Sequence, residues 1–212
     1  MLKAILVDFD GTFVDSIAQL YQFYQKFLNH YGVQGTLKEF QELNGPKLNE
    51  IVQMLMERHH LQVSQQILLA RYLDLLYGFY TKEALPFPQA VDQLKTWAAK
   101  GVRLVLVTSA HADLVNAFIK AHDLYPLFEF IVTSQEVQKG KPDPAIYQVA
   151  LEKLGVSSEE AIAIEDSQNG LLSARGAGLL TILLHAQTSD TPEVVPIKDW
   201  EEWGKWMAVH YA

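Results

Sequence analysis

Five short apolar runs punctuate the chain, at residues 4–7, 102–107, 130–132, 161–164 and 179–184. Each is short and lacks the polar alternation of a half-exposed strand. Each therefore predicts a strand covered on both faces, as in a parallel sheet. Helical patterns lie between them. The segment 88–100 ends at Gly101, a suitable helix C-cap, and 113–122 is a second helical segment. A third begins at Asp143-Pro144, with the aspartate as cap and the proline at the first helical position, and runs to Gly155. Strands alternating with helices predict an α/β fold with right-handed crossovers.

The interval 17–83 breaks this alternation. Tyr21, Tyr24, Phe27 and Leu28 recur at helical spacing, as do Ile51, Leu55 and Met56, and then Leu68, Leu69, Tyr72, Leu75 and Leu76. This predicts a helical module inserted after the first strand. Leu85-Pro86-Phe87-Pro88 marks the return, because proline resists helix continuation. A last helix over about 199–209 carries Trp200, Trp203 and Trp206 in one stripe, the pattern of a helix packed onto the core.

Composition narrows the function classes. The chain has 212 residues, 49% of them hydrophobic, enough for a buried core. Its formal net charge of -8 argues against a nucleic-acid partner and leaves room for a small anionic substrate in a locally positive pocket. There is no cysteine, which excludes disulfides, thiolate metal sites and cysteine nucleophiles. The first apolar run ends at Asp8, too short for a secretory or membrane-spanning segment. A soluble, cytoplasmic protein without membrane partners is expected, as a monomer or homodimer.

Candidate chemistry gathers at the ends of the predicted strands. Asp8 and Asp10 flank Phe9 at the end of the first, and Glu165-Asp166 end the fourth. Bare carboxylates crowded together repel. If the two strands are neighbours, a hard divalent cation with oxygen ligands resolves that repulsion, and Mg²⁺ is the usual one beside phosphate. Thr108-Ser109 end the second strand, where a hydroxyl and the amides of a following helix suit an oxyanion. Lys141 lies in Lys139-Gly140-Lys141-Pro142-Asp143-Pro144, where the prolines fix the backbone of a single cation just before a helix.

Together these residues resemble the haloacid dehalogenase superfamily, in its helical-cap subfamily of phosphoglycolate phosphatases and β-phosphoglucomutases. Asp8-Phe9-Asp10-Gly11-Thr12 is similar to the first motif, Thr108 to the second, Lys141 to the third, and Glu165-Asp166-Ser167 with Gly170 to the fourth. The resemblance implies a Rossmann-like parallel sheet ordered 3-2-1-4-5. It implies a core of residues 1–15 and 84–212 and a helical cap of residues 16–83. The first and fourth strands would then adjoin at the topological switch point. It also implies Asp8 as nucleophile, Asp10 as general acid and base, and Thr108 and Lys141 as stabilisers of the transferring phosphoryl group. Asp8, Asp10 (through its carbonyl), Glu165 and Asp166 would hold Mg²⁺. Ser109, Ala110 and Lys47 would contact a small phosphorylated metabolite, although Lys47 also reads as an ordinary solvated lysine at a helix start.

The implied function is a Mg²⁺-dependent phosphatase working through an aspartyl-phosphate. Asp10 argues against dehalogenation, because the dehalogenases of this family lack an acid at that place. A sugar phosphomutase is an alternative, although its usual histidine is missing from the segment 16–20. A non-catalytic phospho-ligand-binding protein is another, although every motif residue is present. Phe13, Gln89 and Arg175-Gly176 depart from the common pattern without removing any of these groups.

Overall fold

The computed structural model describes residues 1–186, 188 and 194–211. In chain order the elements are β1 (Ala4–Val7), α1 (Ile17–His30), α2 (Leu37–Glu42), α3 (Leu48–His59), α4 (Gln65–Lys82), α5 (Pro88–Ala99), β2 (Arg103–Val107) and α6 (Ala112–Ala121). They continue with β3 (Phe130–Val132), α7 (Ala145–Leu154), β4 (Ala161–Glu165), α8 (Gln168–Gly176), β5 (Leu180–Leu184), β6 (Val194–Ile197) and α9 (Trp200–His210).

The strands form one parallel sheet in the order β3-β2-β1-β4-β5-β6. The five expected strands keep their expected order, and a sixth adds to the β5 edge. That sixth strand corrects the sequence reading. Its Val-Val-Pro-Ile carries a proline, which cannot donate to a ladder and is tolerated at an edge. Two strands also begin one residue later than their apolar runs. The amides of Val102 and Leu179 bond back to Trp97 and Ala174, closing the preceding helices instead of pairing with strands. Likewise α7 begins after Pro144, and Asp143 accepts from the Ala145 amide at 3.0 Å.

Alternation along β1 sends its side chains to two different layers. Ile5 and Val7 join the larger apolar cluster with α5, α6, α9 and the helices of residues 17–82. Ala4 and Leu6 join a smaller cluster with Ile146, Tyr147 and Ala150 of α7 and Ala174 of α8. All four β1 residues are fully buried, which explains the unbroken apolar run. In α9, Trp200 and Trp203 are buried, while Trp206 is partly buried and stacks on His210. The Trp200 indole donates to the Thr12 carbonyl at 3.0 Å, so this helix supports the loop that follows β1.

Residues 17–82 hold four helices and, among the described residues, no strand. They lie over the C-terminal edge of the sheet, with α4 packed on α6. No described helix is long and apolar enough to cross a membrane.

Candidate active site

Parallel strands all deliver their next residues to one edge of the sheet. Val7 registers with Ile164, and the Asp8 amide donates to the Ile164 carbonyl at 3.0 Å. Asp8 and the Glu165-Asp166 pair are thereby side by side. Oxygens from Asp8, Glu165 and Asp166 lie within 4.8 Å of one another. Gly11 is needed beside them, because it has φ +77° and a Cβ there would run into the Asp166 carboxylate.

Lys141 reaches this cluster from the loop before α7. Its ammonium donates to Asp8 Oδ1 at 2.5 Å, Glu165 Oε1 at 2.6 Å and the Val107 carbonyl at 3.2 Å. It is 2% exposed, so the strand ends hold it as a fixed charge. Burial alone would depress its pKa, but the charges of Asp8 and Glu165 outweigh that and hold it above its ordinary value. Tyr147 of α7 donates to Glu165 Oε1 at 2.5 Å and sets its ring 5.2 Å from the Lys141 ammonium.

One cation does not neutralise three carboxylates, two of them buried and that of Asp166 half-buried. Burial, then the charge of Asp8, pushes both Glu165 and Asp166 above the usual carboxylate range. Glu165 Oε2 and Asp166 Oδ1 are buried without a hydrogen-bond partner. Crowded hard oxygens with free lone pairs and excess negative charge fit a divalent cation such as Mg²⁺.

The Asp10 side chain has other partners. Its Oδ1 accepts from Tyr80 of α4 at 2.6 Å and from Ser16 at 2.7 Å. Burial raises its pKa to about 6, against the two hydroxyl bonds that lower it. A carboxyl group so placed keeps its proton to higher pH than an ordinary aspartate. Thr108 follows β2, and its hydroxyl accepts from the Ala110 amide at 3.0 Å.

Asp8, Asp10, Thr108, Ser109, Ala110 and Lys141 line one cavity of about 110 Å³. Its other wall comes from α1 to α4 and the loop Asn44-Gly45-Pro46. Lys47 does not line it. That side chain turns away and donates to the Val137 carbonyl at 2.9 Å. Its backbone amide bonds to Glu50, and the same Glu50 carboxylate accepts from the Gly140 amide at 3.3 Å. Nearby, Asn169 donates to the Asn44 carbonyl at 2.6 Å. The Asn44 to Glu50 segment is thus clasped to the loop that carries Lys141 and to the first turn of α8, just after Asp166.

Tyr80, Ser16, Tyr147, Glu50 and Asn169 were not foreseen as parts of the site. Tyr80 shares the buried face of α4 with Tyr72, Leu76 and Phe79 and reads as core. Its hydroxyl at the end of an apolar face was the available signal, since a buried tyrosine needs a partner.

A doubly covered parallel sheet with a carboxylate-rich cleft at its switch point places this protein among the α/β folds that bind ligands at the carboxyl ends of their strands. The chain matches the haloacid dehalogenase-like hydrolase family over residues 5–184, and it belongs to that family. It is 30% identical to pyrophosphatase PpaX of Bacillus pumilus (strain SAFR-032) over 193 residues, covering 85% of this chain and 82% of that protein. It is 26% identical to the phosphorylated carbohydrates phosphatase of Thermotoga maritima over 178 residues, covering 84% and 82%. Among solved structures it resembles CbbY from Rhodobacter sphaeroides in complex with phosphate. The TM-score is 0.79 at 25% identity, over 92% of this chain and 94% of that one.

Proposed function

We propose that this enzyme is a Mg²⁺-dependent phosphatase for a small phosphorylated metabolite, working through an aspartyl-phosphate on Asp8. The observation that carries this reading is two carboxyl groups with different partners, Asp8 on the Lys141 ammonium and Asp10 on the hydroxyls of Tyr80 and Ser16. Asp8 touches the Lys141 ammonium at 2.5 Å, which suits a fixed nucleophile beside a charge that can offset an incoming phosphoryl group. Asp10, two residues on, is pushed up to about 6, which suits an acid.

In the first half-reaction an Asp8 oxygen attacks phosphorus and the bond to the leaving oxygen breaks. Asp10 gives its proton to that oxygen. In the second, Asp10 takes a proton from water as the water oxygen attacks phosphorus. The bond to Asp8 then breaks and inorganic phosphate leaves. Lys141, Thr108 and the Ser109 and Ala110 backbone bind the phosphoryl oxygens, so that catalysis is mainly positioning and charge compensation. Asp8, Asp166, the Asp10 carbonyl and Glu165, directly or through water, would hold Mg²⁺, which would offset repulsion between carboxylate and phosphoryl group. Residues 16–83 act as a cap over a core of residues 1–15 and 84–212, excluding water and meeting the leaving group. Tyr80 joins the two, since it belongs to the cap and holds the acid.

Phosphate release from para-nitrophenyl phosphate tests this with Mg²⁺, with chelator and with Asp8→Asn. Turnover is expected only for the unaltered protein with Mg²⁺. Metal-independent turnover, or full activity in Asp8→Asn, would overturn the reading. An isomerised sugar phosphate in place of free phosphate would make the enzyme a mutase.

A further inference from the structure

The helical wall facing the site is apolar and carries no charged side chain. Ile17, Leu20, Leu43, Ile51 and Leu76 project into the cavity from the helical side, beside the rings of Phe40 and Tyr72. No lysine, arginine, aspartate or glutamate of residues 16–83 lines it. That stretch has six lysines and arginines. Lys26, Lys38, Arg58, Arg71 and Lys82 are exposed outside the cavity, and Lys47 is engaged by the Val137 carbonyl. Among the described residues the core side adds two basic groups to the lining: Lys141, already shared between Asp8 and Glu165, and His111, whose Nδ1 accepts from the Asp113 amide at 3.4 Å and lies beside the Asp113 carboxylate.

From this, and resting on the phosphatase reading above, we infer that the substrate is a monophosphate ester of a small, uncharged, mainly apolar alcohol. Its transferred phosphoryl group is its only anionic group. A second phosphate or a carboxylate in the leaving group would be buried against the aliphatic carbon of the helical wall, which offers it no counter-charge, and water would have to be stripped from it. A polyhydroxylated leaving group would bring several hydroxyls to a wall whose polar groups are few. Asn44, the Tyr72 hydroxyl and a Tyr80 hydroxyl already bonded to Asp10 are what that side offers. An aryl or branched alkyl group would instead exchange water for Phe40, Tyr72 and the leucines, which is the favourable transfer. The chamber selects by what it fails to solvate.

The test compares kcat/KM for esters whose alkoxide leaving groups are of similar basicity, so that chemistry does not set the order. Benzyl phosphate and isobutyl phosphate are run beside glucose 6-phosphate, fructose 1,6-bisphosphate and phosphoglycolate, all with Mg²⁺ and with Asp8→Asn as blank. Benzyl phosphate is expected to exceed each of the three polar esters by at least about 100-fold. In Ile51→Lys, which places a cation on the apolar wall, the ratio of fructose 1,6-bisphosphate to benzyl phosphate is expected to rise at least about tenfold. Turnover of any polar ester within tenfold of benzyl phosphate overturns this inference and leaves the phosphatase reading standing. No Mg²⁺-dependent turnover of any ester, para-nitrophenyl phosphate included, overturns both.

Discussion

Replacing Lys141 with methionine keeps the length of the side chain and removes its charge. The ammonium is 2% exposed and bonded to Asp8 and Glu165 at 2.5 and 2.6 Å. Its loss leaves Asp8, Glu165 and Asp166 facing one another without a cation. Breaking a buried ion pair from one side costs about 3–5 kcal/mol. For a chain of this size, that lowers the midpoint of thermal unfolding by about 6–20 °C. The pH dependence has a definite sign. Glu165 and Asp166 already hold their protons to higher pH in the folded protein than in the unfolded chain. As pH rises past their ordinary values of 4.5 and 3.8, the unfolded state loses protons first and stability falls. Without Lys141 this fall becomes steeper, so the deficit grows from pH 4 to pH 7. Mg²⁺ then narrows it, because a cation that binds only the folded state restores part of the missing charge. The assay is thermal unfolding followed by circular dichroism at several pH values, with chelator and with Mg²⁺. The fully exposed pair Lys205–Glu201 provides the control, and Lys205→Met is expected to leave the midpoint unmoved. A Lys141→Met protein as stable as the original at pH 7 in chelator would refute the reasoning, since the three carboxylates would then not depend on that charge.

Two further outcomes are expected. Tyr80→Phe removes a hydrogen bond to a buried carboxylate, worth about 1.5–3 kcal/mol. That would raise the Asp10 pKa by about one to two further units, so the alkaline limb of the kcat/KM profile should move up by that amount; an unmoved limb would show that Asp10 is not the titrating acid. In Gly140→Ala, the new methyl would lie 2.5 Å from the Lys47 backbone nitrogen and 2.8 Å from Glu50 Oε2. It should pry the clasp open and shift the neighbouring Lys141, lowering kcat/KM by about 100-fold; unchanged kinetics would mean that the clasp does not position the site.

The sequence carried the sheet because burial on both faces leaves no polar alternation to misread. Ile5 and Val7 pack to one side and Ala4 and Leu6 to the other, and both sets are apolar. The strand ends carried the site for a related reason, because parallel strands deliver their next residues to one edge. Asp8, Thr108 and the Glu165-Asp166 pair therefore meet although 100 residues or more separate Asp8 from the others. What escaped notice depends on partners that no local pattern announces. β6 borrows its hydrogen bonds from β5, and the proline within its four residues argues against a strand. Tyr80 lies 70 positions from Asp10, and its helical spacing reports only its buried ring. Lys47 reads as solvated at a helix start, yet the fold brings the Val137 carbonyl to it from 90 positions away.

The central claim is that Asp8 carries the phosphoryl group. Asp10→Asn cannot deprotonate water, so it should trap that group when the leaving group needs no acid. The variant would be mixed with para-nitrophenyl phosphate and Mg²⁺, quenched in acid, digested and mapped by mass spectrometry. A burst of nitrophenolate with a phosphoryl adduct on Asp8 is expected. A burst with Asp8 unmodified, or an adduct on another residue, would contradict the mechanism.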